Sequence, residues 1–77
     1  MPEDPRRAWL ISRIEIAARD VKNAEAHRRE MRFGRLLGFL EVGTRFGWWS
    51  KRSADYYSDA AWHGVARGKA HRLLRRR

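Results

Sequence analysis

The stretch from Asp4 to Met31, DPRRAWLISRIEIAARDVKNAEAHRREM, decides the fold of this 77-residue chain. Asp4 can cap free backbone N–H groups, and Pro5 at the first helical position gives up no donor that a helix needs. A stripe then follows at alternating spacings of four and three residues, and it comprises Leu10, Ile14, Ala17, Val21, Ala24, Arg28 and Met31. Because this spacing keeps side chains on one helix face, and no Gly or Pro intervenes, the sequence predicts one long helix over about residues 5–31.

The narrowness of this stripe leaves two interpretations of what covers it. It can be a coiled-coil seam, which would make the protein a homodimer, or the inner face of a helix that lies along a hairpin of the same chain. Three heptads with Ala and Arg at seam positions make a weak zipper, so we favour the intramolecular interpretation.

Two further helices are predicted downstream. The first covers about residues 33–46, where four apolar side chains share a face, and Gly47 ends it; these side chains are Phe33, Leu36, Leu37 and Leu40. The second covers about residues 51–74, after Ser50 or Ser53 as N-cap. Its apolar stripe comprises Ala54, Tyr57, Ala61 and Val65. Since no alternating β-branched run is present, we expect an all-α protein: one domain over residues 1–77, a small three-helix bundle with a long N-terminal helix and a basic C-terminal helix.

Glycines recur at a spacing of four in two places, at Gly34 with Gly38 and at Gly64 with Gly68. A glycine at i and i+4 lets another backbone approach a helix closely. We therefore consider that the two pairs face each other, or a partner, across a tight helix crossing. The competing interpretation is that each glycine only marks a kink or a frayed end.

The aromatic residues divide between core and surface. In so short a chain we expect Trp9, Tyr57 and Trp62 in the core. Trp48 and Trp49 are adjacent, so both cannot point inward from one helix turn, and at least one is expected at the surface or an interface. Together with Tyr56 they lie near Lys51 and Arg52, where they could stack on bases.

The C-terminal stretch from Arg67 to Arg77, RGKAHRLLRRR, carries six cations and no acid, in a chain of net charge +9. Arg67, His71 and Arg75 repeat every four residues, which would align them on a helix, and guanidinium groups suit phosphate contacts. The sequence therefore predicts a nucleic-acid-binding protein, for DNA or RNA, that contacts phosphates. The expected contacts are Lys51, Arg52, Arg67, Lys69, His71, Arg72, Arg75, Arg76 and Arg77.

Sequence-specific DNA reading is a narrower possibility within this class. The segment from Leu40 to Tyr57 has the order of a helix-turn-helix, with Lys51 and Arg52 opening the second helix. Ser53, however, falls where a buried apolar residue is usual. Binding to phosphates without sequence preference is the interpretation we prefer.

Catalysis and metal binding have little support in the sequence. Cysteine is absent, no Ser-His-acid set is present, and His27, His63 and His71 do not sit at ligand spacing. Phosphate-loop and dinucleotide fingerprints are missing as well. We expect no enzyme, no cofactor and no metal.

A protein-interaction module is the alternative function. The helical seam, the glycine pairs and the Trp pair suit an inhibitor, an assembly factor or a homo-oligomer that docks on an acidic protein surface. A membrane-surface role for Phe33 to Trp49 is disfavoured by the acidic residues and the capped start of the first helix. No signal or spanning segment is recognisable, so we expect a cytoplasmic protein.

Overall fold

The computed structural model describes residues 4–74, and it contains four helices. These are α1 (Pro5–Asn23), α2 (Ala26–Arg45), α3 (Lys51–Trp62) and the short α4 (Ala70–Leu73). Over those residues there is no strand. The predicted all-α three-helix bundle is confirmed, with a fourth helical turn added at its end.

The predicted long helix over residues 5–31 is wrong, because the chain turns at Ala24 and Glu25. Both residues are extended, with ψ angles of 146° and 153°. Neither residue is a helix breaker, so packing and not local preference sets the turn. A straight helix would leave the apolar faces of α1 and α2 exposed, whereas the turn lays them against each other.

The core forms where the stripe of α1 meets the other helices. Its first four members, Leu10, Ile14, Ala17 and Val21, are buried within the single chain, as the intramolecular interpretation requires. Leu36 and Leu40 from α2 and Tyr57 from α3 pack in the same cluster. The later members of the stripe do not belong to it, since Arg28 and Met31 are exposed on α2.

A glycine turn and a buried tryptophan join α2 to α3. Gly47 has a φ of 76°, its N–H donates to the Thr44 carbonyl, and the Trp48 N–H donates to the Gly43 carbonyl. This pair of bonds is the Schellman ending of a helix, which confirms Gly47 as the stop. The Ser50 hydroxyl then accepts the Ser53 N–H at 3.0 Å and caps α3, as predicted.

Gly43 is the glycine that permits close packing. A Cβ atom added there would overlap the six-membered ring of the Trp49 indole. Trp49 is only 2% exposed, and its indole N–H donates to the Leu40 carbonyl at 3.1 Å. The predicted glycine pairs have a different environment. Apart from the adjoining chain and backbone of α2 itself, no atom of residues 4–74 lies within 4 Å of a Cβ built at Gly34 or Gly38, so these two do not face Gly64 and Gly68.

The third helix ends at Trp62, well before the predicted end near residue 74. Gly64 has a φ of 75°, its N–H donates to the Ala61 carbonyl, and the Val65 N–H donates to the Ala60 carbonyl. This second Schellman ending turns the chain away from the axis of α3 and leaves Val65 exposed. Gly64 is therefore a helix stop.

Two tryptophans expected in the core lie nearer the surface. Trp9 is 61% exposed, and Trp62 is 37% exposed. Trp62 packs edge-on against Phe33, with ring centroids 5.0 Å apart. The Arg29 guanidinium lies 4.6 Å from the Trp62 ring centroid and also donates to the Trp62 carbonyl. A cation at this carbonyl also complements the negative end of α3. Arg29 thus links α2 to the end of α3.

Candidate nucleic-acid interface

A cleft with cationic walls lies between α1 and the chain that follows α3. Its volume is about 340 Å³. Glu15, Arg19 and Lys22 line it from α1, where spacings of four and three residues place them on one side of the helix. Gly64, Arg67 and Gly68 line it from the other wall. The three cations outnumber the one carboxylate, so the cleft favours an anion.

Two glycine turns place Arg67 in this cleft. Gly64 brings the chain back toward α1, where the Lys22 side chain lies 3.7 Å from the position of a Gly64 Cβ. Gly68 has a φ of 71°, and the Lys69 N–H donates to the Ala66 carbonyl at 3.0 Å. Arg67 and Gly68 are thus the central residues of a type II turn, which requires the positive φ at its second central position. A helix running through this region would have carried Arg67 away from Arg19 and Lys22.

Residues 66–74 of the basic segment are anchored to the rest of the protein. Their small and apolar side chains Ala66, Ala70 and Leu74 are 2%, 0% and 0% exposed. The guanidinium of Arg7 donates to the Leu74 carbonyl at 3.3 Å, which ties the segment to the start of α1. The polar residues between these anchors are exposed, and they are Arg67, Lys69, His71 and Arg72.

The predicted arginine row is not present as a helix face. Arg67 lies in a turn and α4 covers only Ala70–Leu73, so Arg67 and His71 do not share a helix. The prediction is wrong because a spacing of four aligns residues only if the intervening backbone is helical. Arg75, Arg76 and Arg77 lie outside the described residues.

Lys51 and Arg52 lie apart from the cleft. They open α3, whereas Arg67 follows its opposite end, and a helix of this length spans about 18 Å. Both side chains are exposed, and the Lys51 ammonium pairs with the Asp55 carboxylate at 3.3 Å. The predicted binding residues therefore divide into two groups. The helix-turn-helix order of this region is present, but its use on DNA stays a prediction.

The three predicted stacking residues have different environments. Trp49 is buried in the core and is not available to a base, so its assignment as a stacking residue is wrong. Trp48 is half-buried and stacks on Phe46, with ring centroids 4.7 Å apart and 11° between the planes. Tyr56 is 66% exposed on α3. The expectation that one of the Trp pair reaches the surface is confirmed for Trp48.

An aromatic patch was missed from the sequence. We define it by Trp9, Val42, Phe46 and Trp48, which line an open apolar hollow of about 390 Å³ between the start of α1 and the end of α2. The Arg6 guanidinium lies 5.7 Å from the Phe46 ring centroid and 5.9 Å from that of Trp48. Val42 and Phe46, four residues apart on the outer side of α2, were the signal in the sequence that could have revealed the patch.

Arg6 connects this patch to the cap of α1. Its guanidinium and its backbone N–H both donate to the Asp4 carboxylate. These hydrogen bonds hold the pKa of Asp4 below its ordinary value. The pairing fixes Arg6 beside Phe46 and Trp48.

The described part of the chain contains no group of three His, Asp or Glu side chains that could hold a metal ion. No helix between residues 4 and 74 is both long and apolar enough to cross a membrane. Comparison with known proteins gives no matching family model, curated protein or solved structure.

Proposed function

We propose that this protein binds nucleic acid through phosphate contacts, and that the cleft of Arg19, Lys22 and Arg67 is the centre of the binding surface. The observation that carries the proposal is the convergence of cations from two distant parts of the sequence on one cleft. Lys69, His71 and Arg72 extend the same acid-free segment beyond it. Several exposed cations in and beside one cleft suit a polyanion backbone better than a single small anion.

The side chains of the cleft suit phosphate oxygens as ligands. Two of the three cations in the cleft are arginines, whose planar guanidinium forks match phosphate oxygens in pairs. The second observation is the anchoring of the segment by Ala66, Ala70 and Leu74, which fixes its backbone before any ligand arrives. An interface that is ordered in advance loses less entropy on binding.

The test compares two variants with equal loss of charge. Arg19→Gln/Lys22→Gln/Arg67→Gln removes the cleft cations, whereas Arg13→Gln/Arg28→Gln/Arg35→Gln removes three exposed arginines elsewhere on α1 and α2. Binding of labelled single-stranded DNA, duplex DNA and RNA of about 20 nucleotides is measured by fluorescence anisotropy at several salt concentrations. Polyglutamate of similar charge serves as the competitor for an acidic protein surface.

We expect the wild type to bind nucleic acid more tightly than polyglutamate and to lose affinity steeply with salt. The cleft variant should bind at least tenfold more weakly, and its log–log salt slope should flatten by about 2 to 3, since each lost phosphate contact removes about 0.7 to 0.9. The control variant should change both quantities less. Equal losses in the two variants would show that net charge alone drives binding, and tighter binding of polyglutamate would refute the proposal.

A further inference from the structure

We propose that the aromatic patch, together with the bare glycine face of α2, docks an acidic amphipathic helix of a partner protein. This surface is separate from the cleft. Arg13 borders the patch and Arg19 borders the cleft. At about 100° per residue, the six residues between them leave the two side chains pointing about 120° apart, on different sides of α1. The proposal therefore goes beyond nucleic-acid binding and does not depend on it.

The patch has the composition and the rigidity of a binding centre. Trp9 and Phe46 are 61% and 57% exposed, which is a large apolar surface for a small protein to leave in water. Trp and Arg are the side chains that most often dominate binding energy, and here Arg6 and Arg13 lie over the rings of the patch. Phe46 and Trp48 are already stacked on either side of the Gly47 turn, so a partner need not order them.

The face of α2 next to the patch fits a helix. Gly34, Gly38, Val42 and Phe46 follow one another at spacings of four residues and form one exposed row about 18 Å long. Within the described part of the chain, no other element places an atom within 4 Å of a Cβ built at Gly34 or Gly38. A second helix can therefore approach the α2 backbone closely along the glycines and then meet Val42 and Phe46 with its apolar side chains.

Charge selects the class of partner. The charged residues around the row are four arginines and three carboxylates, namely Arg6, Arg13, Arg35, Arg45, Asp4, Glu30 and Glu41. Two of these arginines pair with carboxylates, Arg6 with Asp4 and Arg45 with Glu41, so the border keeps a small positive excess. A second copy would bring the same positive border and a net charge of +9, so self-association is opposed. Carboxylates that flank the apolar stripe of a partner helix would complement this border. We therefore assign the surface to an acidic helix from another protein.

The experiment uses a designed helical peptide as the probe. It has about 18 residues, leucines at helical spacing and glutamates on both sides of the leucine stripe. A matched peptide carries lysines in place of the glutamates. Binding of the fluorescein-labelled peptides is followed by anisotropy with the wild type, Trp9→Ala, Gly38→Gln and Tyr56→Ala. The last variant removes an equally exposed aromatic outside the patch.

We expect the acidic peptide to bind the wild type and Tyr56→Ala alike, and the lysine peptide to bind at least tenfold more weakly. Trp9→Ala should lose about tenfold or more in affinity because it removes the most exposed side chain of the patch. Gly38→Gln, which puts a side chain in the path of the helix, should lose affinity while its helix content is kept. Thermal melts of both variants test whether the fold persists.

Three results would overturn the inference. The first is no binding of the acidic peptide at about 100 μM, a concentration at which even a weak specific complex is populated. The second is self-association of the wild type in sedimentation that Trp9→Ala abolishes, which would assign the patch to a second copy. The third is a loss of nucleic-acid affinity in Trp9→Ala with unchanged peptide binding, which would make the patch a stacking site for bases. A cleft variant that binds nucleic acid as tightly as the wild type would refute the proposed function without affecting any of these three results. The two proposals can therefore fail separately.

Discussion

The hydroxyl group of Tyr57 is the least satisfied polar group of the core. The side chain is fully buried, and no donor or acceptor within residues 4–74 bonds to its oxygen. A buried polar group without a partner costs about 1 to 3 kcal/mol. We expect Tyr57→Phe to be more stable than the wild type by about 1 kcal/mol in denaturant melts. The neighbouring Tyr56→Phe, at an exposed position, should change stability by less than about 0.5 kcal/mol.

The same residue gives a pH dependence at alkaline pH. Burial raises the pKa of Tyr57, and the negative charge of Glu15 raises it further. Above about pH 10 the unfolded chain releases the Tyr57 proton while the folded chain retains it. Stability should therefore fall from about pH 10 upward, and Tyr57→Phe should remove part of that slope. An unchanged slope would mean that the pKa of Tyr57 is the same in the folded and unfolded chains. A variant less stable than the wild type would mean that the hydroxyl makes a favourable interaction in the folded protein.

At the scale of the elements, α2 carries two glycines whose replacement should have opposite effects. Gly38→Ala places a methyl group in open space on an exposed helix and should stabilise the protein by up to about 1 kcal/mol. Gly43→Ala gains the same helix propensity but forces its methyl group into the Trp49 ring. Overpacking costs about 1 to 3 kcal/mol, so the net effect should be a loss of stability.

A double-mutant cycle identifies the cause of that loss. Trp49→Leu vacates the space that the Gly43→Ala methyl needs, so the double variant should be more stable than the sum of the two single losses predicts. Additive losses would show that Gly43 is not constrained by Trp49. Circular dichroism with thermal melting measures all four proteins.

The same elements show how far the sequence could be read. Helix caps and stops at Asp4, Gly47 and Ser50 were predictable, because each depends on a side chain and its nearest backbone neighbours. The turn at Ala24 was not, since no local preference breaks a helix there and only the packing of α1 on α2 favours it. Gly64 could have been predicted as a helix stop, because glycine commonly ends helices. Its spacing of four to Gly68 instead suggested a helix crossing.

The cleft and the patch could not be predicted from the sequence, because both depend on where the helices turn and end. The cations of the tail were recognisable from composition, but their meeting with Arg19 and Lys22 requires the chain to turn back after Trp62. Trp9 was assigned to the core because a small protein needs large apolar side chains. The core instead closes over Trp49, whose indole fits against Gly43, and this leaves Trp9 outside.

At the scale of the whole molecule, positively charged side chains repel one another across a protein that measures 41 × 21 × 19 Å. The ion pairs Arg6–Asp4, Arg45–Glu41 and Lys51–Asp55 are formed by exposed side chains, and such pairs contribute between 0 and about 1 kcal/mol each. Salt at about 0.1 M limits interactions between exposed charges to roughly 10 Å. Screening should therefore weaken the long-range repulsion more than it weakens the close pairs.

We accordingly expect the melting temperature to rise by a few degrees as NaCl increases from about 20 to 500 mM. A melting temperature that falls with NaCl would contradict this balance of charges. Sulfate at equal ionic strength should raise it further, partly because sulfate is excluded from protein surfaces and partly because it can occupy the cleft. The additional rise of the melting temperature in sulfate, relative to chloride, should shrink in Arg19→Gln/Lys22→Gln/Arg67→Gln, because this variant removes the cations that converge on one anion. It should persist in Arg13→Gln/Arg28→Gln/Arg35→Gln, which keeps them. An equal additional rise in both variants would mean that sulfate acts on the protein surface as a whole, and it would count against an anion site in the cleft.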